Sequence, residues 1–207
     1  MKMDAVRTLA ALAALTLVPI AAAAQAADRT CSDPNAAPDQ TIAACTTVIK
    51  SGKLAGNALA IAYNNRGIGY LGKRDYDDAL LDFGQALAAD PKFVQAYLDR
   101  AVAYARKEQP NPAIADYTAA LRIDPKAGVA YFGRGQLYQA LGQHDLAIAD
   151  YTQALQLEPA NAPAYYYRGI SYQRKGEKAL AIADFNAALR IDPTLAPARA
   201  ALQRLSP

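Results

Sequence analysis

Apolar and polar positions recur along this chain with a 34-residue period, written four times as residues 60–93, 94–127, 128–161 and 162–195. Within each period, positions 4, 8 and 11 (Tyr63, Gly67 and Tyr70 in the first) are spaced by four and three, the signature of one stripe along a helix. Positions 20, 24, 27 and 28 (Ala79, Phe83, Ala86, Leu87) form a second stripe. Two amphipathic helices per period are therefore predicted, joined by turn-forming segments such as Gly142-Gln143-His144-Asp145. In Gln109-Pro110-Asn111-Pro112 the expected cap is Asn111, with Pro112 in the first helical position. Aromatic columns such as position 24 (Phe83, Tyr117, Tyr151, Phe185) alternate with columns of small residues such as position 8 (Gly67, Ala101, Gly135, Gly169). That alternation lets two helix backbones approach closely and specifies antiparallel pairs. Neither helix buries its stripe alone, so the pairs must stack into an all-α solenoid whose ends need a more polar cover. Residues 196–207, with Arg199, Gln203 and Arg204 on one side, are expected to supply that cover as a capping helix.

The columns are closely kept. Position 4 is Tyr63, Tyr97, Tyr131 and Tyr165, position 11 is Tyr70, Tyr104, Tyr138 and Tyr172, and position 20 is Ala79, Ala113, Ala147 and Ala181. Position 27 is Ala86, Ala120, Ala154 and Ala188, and every unit closes on an acid-proline step: Asp90-Pro91, Asp124-Pro125, Glu158-Pro159, Asp192-Pro193. This pattern resembles the tetratricopeptide repeat (TPR) family, with Tyr throughout where the family often has Trp at position 4. The resemblance implies a right-handed superhelix acting as a protein-interaction module, its first helices lining a concave groove. Carried over by position, the partner-facing residues are Asn64, Leu98, Phe132 and Tyr166 at position 5, Ile68, Val102, Gln136 and Ile170 at position 9, and Arg106 and Arg174 at position 13. Such a lining suits an extended or helical peptide with apolar anchors; the alternative is that Leu98, Phe132 and Tyr166 only extend the packing between repeats. The family's chaperone-binding branch grips a peptide carboxylate with Lys at position 5 and Asn at position 9, a combination that no unit here carries.

Positions 7 and 23, commonly apolar or aromatic in the family, are Arg66, Arg100, Arg134 and Arg168, and Asp82, Asp116, Asp150 and Asp184. Two substitutions made together in every unit invite one explanation, a forked charge-assisted contact between the two helices of a pair. A ladder of arginines grasping an acidic ligand is the functional alternative, weakened by the neutralising aspartates.

Upstream of the repeats, Lys2 and Arg7 precede the apolar run Leu9 to Ile20, and Ala24-Gln25-Ala26 offers small residues where a signal peptidase reads. Residues 1–26 are thus read as a signal peptide, against the alternative of a retained anchor, and the chain as exported, with the periplasm of a Gram-negative bacterium as its compartment. The two cysteines, Cys31 and Cys45, are expected to pair in that setting; a redox or metal role fits less well, since redox cysteines are usually two residues apart and the lone His144 is remote. Thr41 to Ile49 reads like Ala147 to Leu155, placing Cys45 at position 24 of a degenerate half-repeat within an amino-terminal extension, residues 27–59.

A net charge of +3, with 20% charged residues and no basic runs, gives no reason to expect nucleic acid. One histidine, no glycine-rich phosphate loop and no metal-spaced cluster give none to expect an enzyme, a cofactor or a metal. The expected partner is a protein or peptide. An envelope assembly or tethering factor peripherally attached to the membrane is the alternative, and oligomeric state is left open.

Overall fold

The computed structural model describes residues 28–205, and the expected signal peptide lies outside them. After a helical turn at residues 28–31 come α1 (Pro38–Lys50), α2 (Gly56–Lys73), α3 (Tyr76–Ala89), α4 (Val94–Arg106), α5 (Pro110–Ile123), α6 (Gly128–Ala140), α7 (His144–Leu157), α8 (Ala162–Arg174), α9 (Lys178–Ile191) and α10 (Ala196–Leu205). Short connections make neighbours antiparallel, so the molecule is an all-α solenoid of helix pairs, α2/α3 to α8/α9. Beyond immediate neighbours, the substantial contacts among the described helices are α2 with α4 and α6 with α8, all first helices of their pairs. First helices therefore run along the inner, shorter arc.

The core follows the axis. Phe83, Tyr151 and Phe185 are completely buried, and each presses on a glycine of its own pair. A Cβ added at Gly67 would stand 2.6 Å from Phe83 Cε1, at Gly135 2.9 Å from Tyr151 Cε1, and at Gly169 2.7 Å from Phe185 Cε1. No larger side chain fits there without displacing a ring.

The turns obey the same period. Position 15 is left-handed in every unit, at Arg74 (φ 66°), Glu108 (φ 57°), Gly142 (φ 73°) and Gly176 (φ 80°), a conformation that costs a non-glycine residue roughly 1–2 kcal/mol. The following residue is the N-cap of the second helix, which is why α5 starts at Pro110 with Gln109 before it. Asn111, expected to be the cap, instead lies within the first turn: the position-16 register of all four units outranks local capping preference. Asn161 does cap its helix, its Oδ1 accepting from the Ala164 amide at 3.0 Å. At the acid-proline steps, Asp90, Asp124 and Asp192 each accept a hydrogen bond from the amide two residues on, at 2.9, 2.9 and 2.8 Å, so the acid folds the turn that proline begins.

At the amino-terminal end, α1 packs on α2, bringing Pro38 and Ile42 against Gly69 and Gly72. Cys45 is fully buried and forms a disulfide with Cys31, while Asn65 Nδ2 donates to the Cys31 carbonyl at 3.0 Å. The segment before α1 is thereby fastened against the middle of α2. At the other end, α10 buries Ala198 and Ala201 against α9 and turns Arg199, Gln203 and Arg204 to solvent. The Cys31–Cys45 disulfide joins residues 14 apart, and closing a loop of that size contributes on the order of 3 kcal/mol in the chain-entropy model. Reducing the disulfide should accordingly speed amide exchange in α1 and residues 28–37 while leaving α6–α9 protected, because solenoid energetics are local; uniform loss of protection along the chain would contradict that locality.

Candidate functional site

Two sets of side chains qualify as a site: the arginine ladder and the inner face of the first helices. Each ladder arginine forks onto its aspartate. Arg66, Arg100, Arg134 and Arg168 each donate Nε and Nη2 to Asp82, Asp116, Asp150 and Asp184 at 2.7–2.9 Å. All four carboxylates are buried. The tyrosine columns complete the cage: Arg134 lies 5.8 and 5.9 Å from the ring centroids of Tyr131 and Tyr138, and Arg168 5.5 and 5.9 Å from Tyr165 and Tyr172. The hydrogen bond to the aspartate is the largest influence raising each arginine's pKa, outweighing desolvation. The ladder is consumed internally, which leaves no fork for a ligand.

A further partner escaped the sequence reading. Nη1 of Arg66, Arg134 and Arg168 donates to Thr46, Thr118 and Thr152 of the preceding second helix at 3.1, 2.9 and 3.0 Å, tying each repeat to the one before. Recurrence of threonine at position 25 was the available signal. Before the remaining arginine, Arg100, that position is Gly84, and Arg100 Nη1 has no protein partner among the described residues. A Cβ at Gly84 would meet nothing within 4 Å. Gly84→Thr is expected to stabilise the protein by about 1 kcal/mol, combining removal of a mid-helix glycine with the missing contact. A melting temperature at or below the parent's would show that the contact adds nothing.

On the inner face, the position-5 residues are drawn into packing. Phe132 lies 5.8 Å from both Tyr151 and Tyr167, Tyr166 lies 5.2 Å from Tyr167 and 5.9 Å from Phe185, and Leu98 packs against the cluster around Tyr117 and Leu121. Half-buried, they form the floor between repeats. Asn64 corrects the expectation outright: it is 2% exposed, and its Nδ2 donates to Asp99 Oδ2 at 2.9 Å, so it is not offered to a partner. Asp99 also accepts from Gln95 at 2.9 Å. Burial holds the Asp99 carboxyl above its usual range despite these donors, and burial, with the nearby Asp99 charge, pushes the Tyr117 hydroxyl up to about 12. No regularity announced this pair, since Asp99 stands at a position occupied by Asn65, Gly133 and Tyr167 elsewhere.

The outward residues of the inner face are those at positions 9 and 13. Ile68 is 44% exposed; Val102, Gln136 and Ile170 are half-exposed, and Arg106 and Arg174 are exposed. They border two concavities. One, of about 550 Å³, lies between the first and second repeats and is lined by Ile68, Leu71, Arg74, Tyr76, Val102 and Arg106. The other, of about 470 Å³, lies between the third and fourth and includes Gln136, Gln139, His144, Tyr167, Ile170 and Arg174.

Comparison with known proteins agrees with this architecture. Two family models described as tetratricopeptide repeat match, one over residues 64–128 and the other over 128–161 and 162–195. No curated protein matches the sequence significantly. Among solved structures, YrrB, a TPR protein with an unusual peptide-binding site, is 23% identical and superposes with TM-score 0.68, covering 80% of this chain and 84% of its own. MamA is 24% identical at TM-score 0.69, covering 77% and 91%. The first TPR of Spaghetti (RPAP3), bound to the HSP90 peptide SRMEEVD, is 27% identical at TM-score 0.58, covering 59% and 97%. With the columns, helix pairs and family models coinciding across residues 64–195, the chain belongs to the tetratricopeptide repeat family.

Proposed function

We propose that this chain is an exported, periplasmic protein-interaction module that binds a peptide or protein along the inner face of its solenoid. One observation carries the reading. Ile68, Val102, Gln136 and Ile170 occupy the same register on successive first helices, none of them fully buried though Ile170 rests on the Phe185 cluster, and form a partly accessible strip flanked by Arg106 and Arg174. Repeats of this family are in general interaction scaffolds, and similar folds include one with a peptide-binding site and one bound to a peptide. The position-5 residues here are Asn64, Leu98, Phe132 and Tyr166, so the reading does not extend to a chaperone tail. Export is supported by the leader-like pattern of residues 1–26 and by the oxidised Cys31–Cys45 pair.

The test is affinity capture from an envelope extract with the parent and with a Val102→Glu, Ile170→Glu variant matched to it in helix content and unfolding midpoint. A partner held by the first and lost by the second supports the inner face as the binding surface. Equal retention by both places binding elsewhere and removes the reading. For export, protein recovered from the envelope fraction should have the mass of a chain beginning at Ala27; an intact leader on cytoplasmic protein would count against it.

A further inference from the structure

The two inner-face concavities are the same site written twice. Ile68, Leu71, Tyr76, Val102 and Arg106 of the first correspond, two repeats on, to Gln136, Gln139, His144, Ile170 and Arg174 of the second. Both keep an aliphatic residue and an arginine contributed by the following first helix. Neither lining contains an acidic residue, and Arg106 and Arg174 have no ion-pair or hydrogen-bond partner among the described residues, unlike every ladder arginine. In the intervening register, the place of Arg74 and Gly142 is taken by the exposed Glu108. Cationic notches thus alternate with one that repels carboxylates.

Donors accompany the cation in the second notch. The Gln139 Oε1 accepts from the Tyr151 hydroxyl at 2.7 Å, which leaves the Gln139 amide NH₂ as the free end. His144 Nδ1 lies buried without a partner on the same wall. Asp99, the one acid within the first helices α2, α4, α6 and α8, has both oxygens engaged by Asn64 and Gln95. Positive charge on the strip is therefore uncompensated while its apolar residues stay accessible, and charge complementarity names the occupant.

We propose that the inner face takes an acidic peptide segment with two carboxylates spaced to span two repeats, one seated at Arg106 and the other at Arg174, and with aliphatic side chains resting on Ile68, Val102 and Ile170. This rests on the inner face being the partner-binding surface. The first notch, with Arg74 and Arg106 over aliphatic walls, takes a carboxylate next to an apolar side chain. The second, with Gln136, Gln139 and Arg174, takes a carboxylate that also accepts amide hydrogen bonds.

The experiment is selection of a phage-displayed random dodecapeptide library on the purified chain, followed by fluorescence anisotropy of the enriched peptides. The binders are then measured on Arg106→Gln, Arg174→Gln, the double variant, and Arg122→Gln as an exposed arginine outside both notches. Expected are enriched peptides rich in Asp or Glu together with Leu, Ile or Val. Their affinity should fall roughly tenfold with either arginine, about a hundredfold with both, and with rising salt, and Arg122→Gln should leave it unchanged. Enriched peptides without acidic excess, or acidic peptides held equally by all variants, would overturn the proposal while leaving peptide binding in place. Failure to enrich any peptide would remove the binding reading itself and the proposal with it.

Discussion

Replacing Arg134 with alanine is expected to destabilise the protein by about 3–4 kcal/mol, in the range for breaking a buried ion pair from one side. Asp150 is 5% exposed, and its two oxygens receive Nε and Nη2 of Arg134 at 2.8 Å. Alanine would leave that carboxylate buried without its cation, open the space between Tyr131 and Tyr138, and cut the 2.9 Å tie from Nη1 to Thr118. The arginine side chain retains 17% exposure, so water reaches part of the vacancy and holds the loss below the upper end of that range. Arg134→Lys should recover only part, since an ammonium cannot reproduce the fork. Substituting Leu at both Arg134 and Asp150 should bring stability back toward the parent, because apolar replacement of a whole buried pair is often neutral. Urea denaturation measures all three; an unchanged midpoint for Arg134→Ala would show that the pair is solvated decoration.

The ladder was legible because its two members keep a separation of 16 residues in every unit, and a helix pair with fixed register turns that into a fixed distance. The Cys31–Cys45 bridge was legible for a related reason: Cys45 stands at the aromatic position of a half-repeat, where a side chain is bound to be buried. The lining of the inner face was legible only in direction. Register says which way Leu98, Phe132 and Tyr166 point, but not that Tyr167 and the position-24 residues cover half of each. Asn64 shows the limit most clearly. Its burial depends on Asp99, 35 residues on and on a different first helix, and that pairing occurs in one repeat only, so periodicity carries no trace of it. The start of α5 fails for the opposite reason, local capping chemistry at Asn111 having been read where the periodic N-cap position at Gln109 decides.

Tyr151→Ala should cost about 4 kcal/mol, within the range for truncating a buried large side chain, and its consequence should exceed the lost area. Tyr151 is fully buried, sits against Gly135, and donates to Gln139 at 2.7 Å. Its ring also lies 5.8 Å from Phe132 and 6.2 Å from Tyr167, so one side chain joins α6, α7 and α8. A solenoid is held by nearest-neighbour interfaces, and this ring belongs both to the third pair and to the interface with the fourth. Removing it should separate unfolding of α8–α10 from that of α2–α7, turning one urea transition into two with a lower apparent m-value. Tyr151→Phe keeps the ring and gives up one hydrogen bond, for a loss of about 1 kcal/mol and a single transition. A Tyr151→Ala variant that still unfolds in one step would show that coupling between the last two repeats is carried by the Arg168–Thr152 tie and the remaining aliphatic contacts instead. The same variant bears on the second notch. Without the tyrosine hydroxyl the Gln139 carboxamide is no longer oriented, so a ligand seated at Arg174 should weaken even where the fold survives.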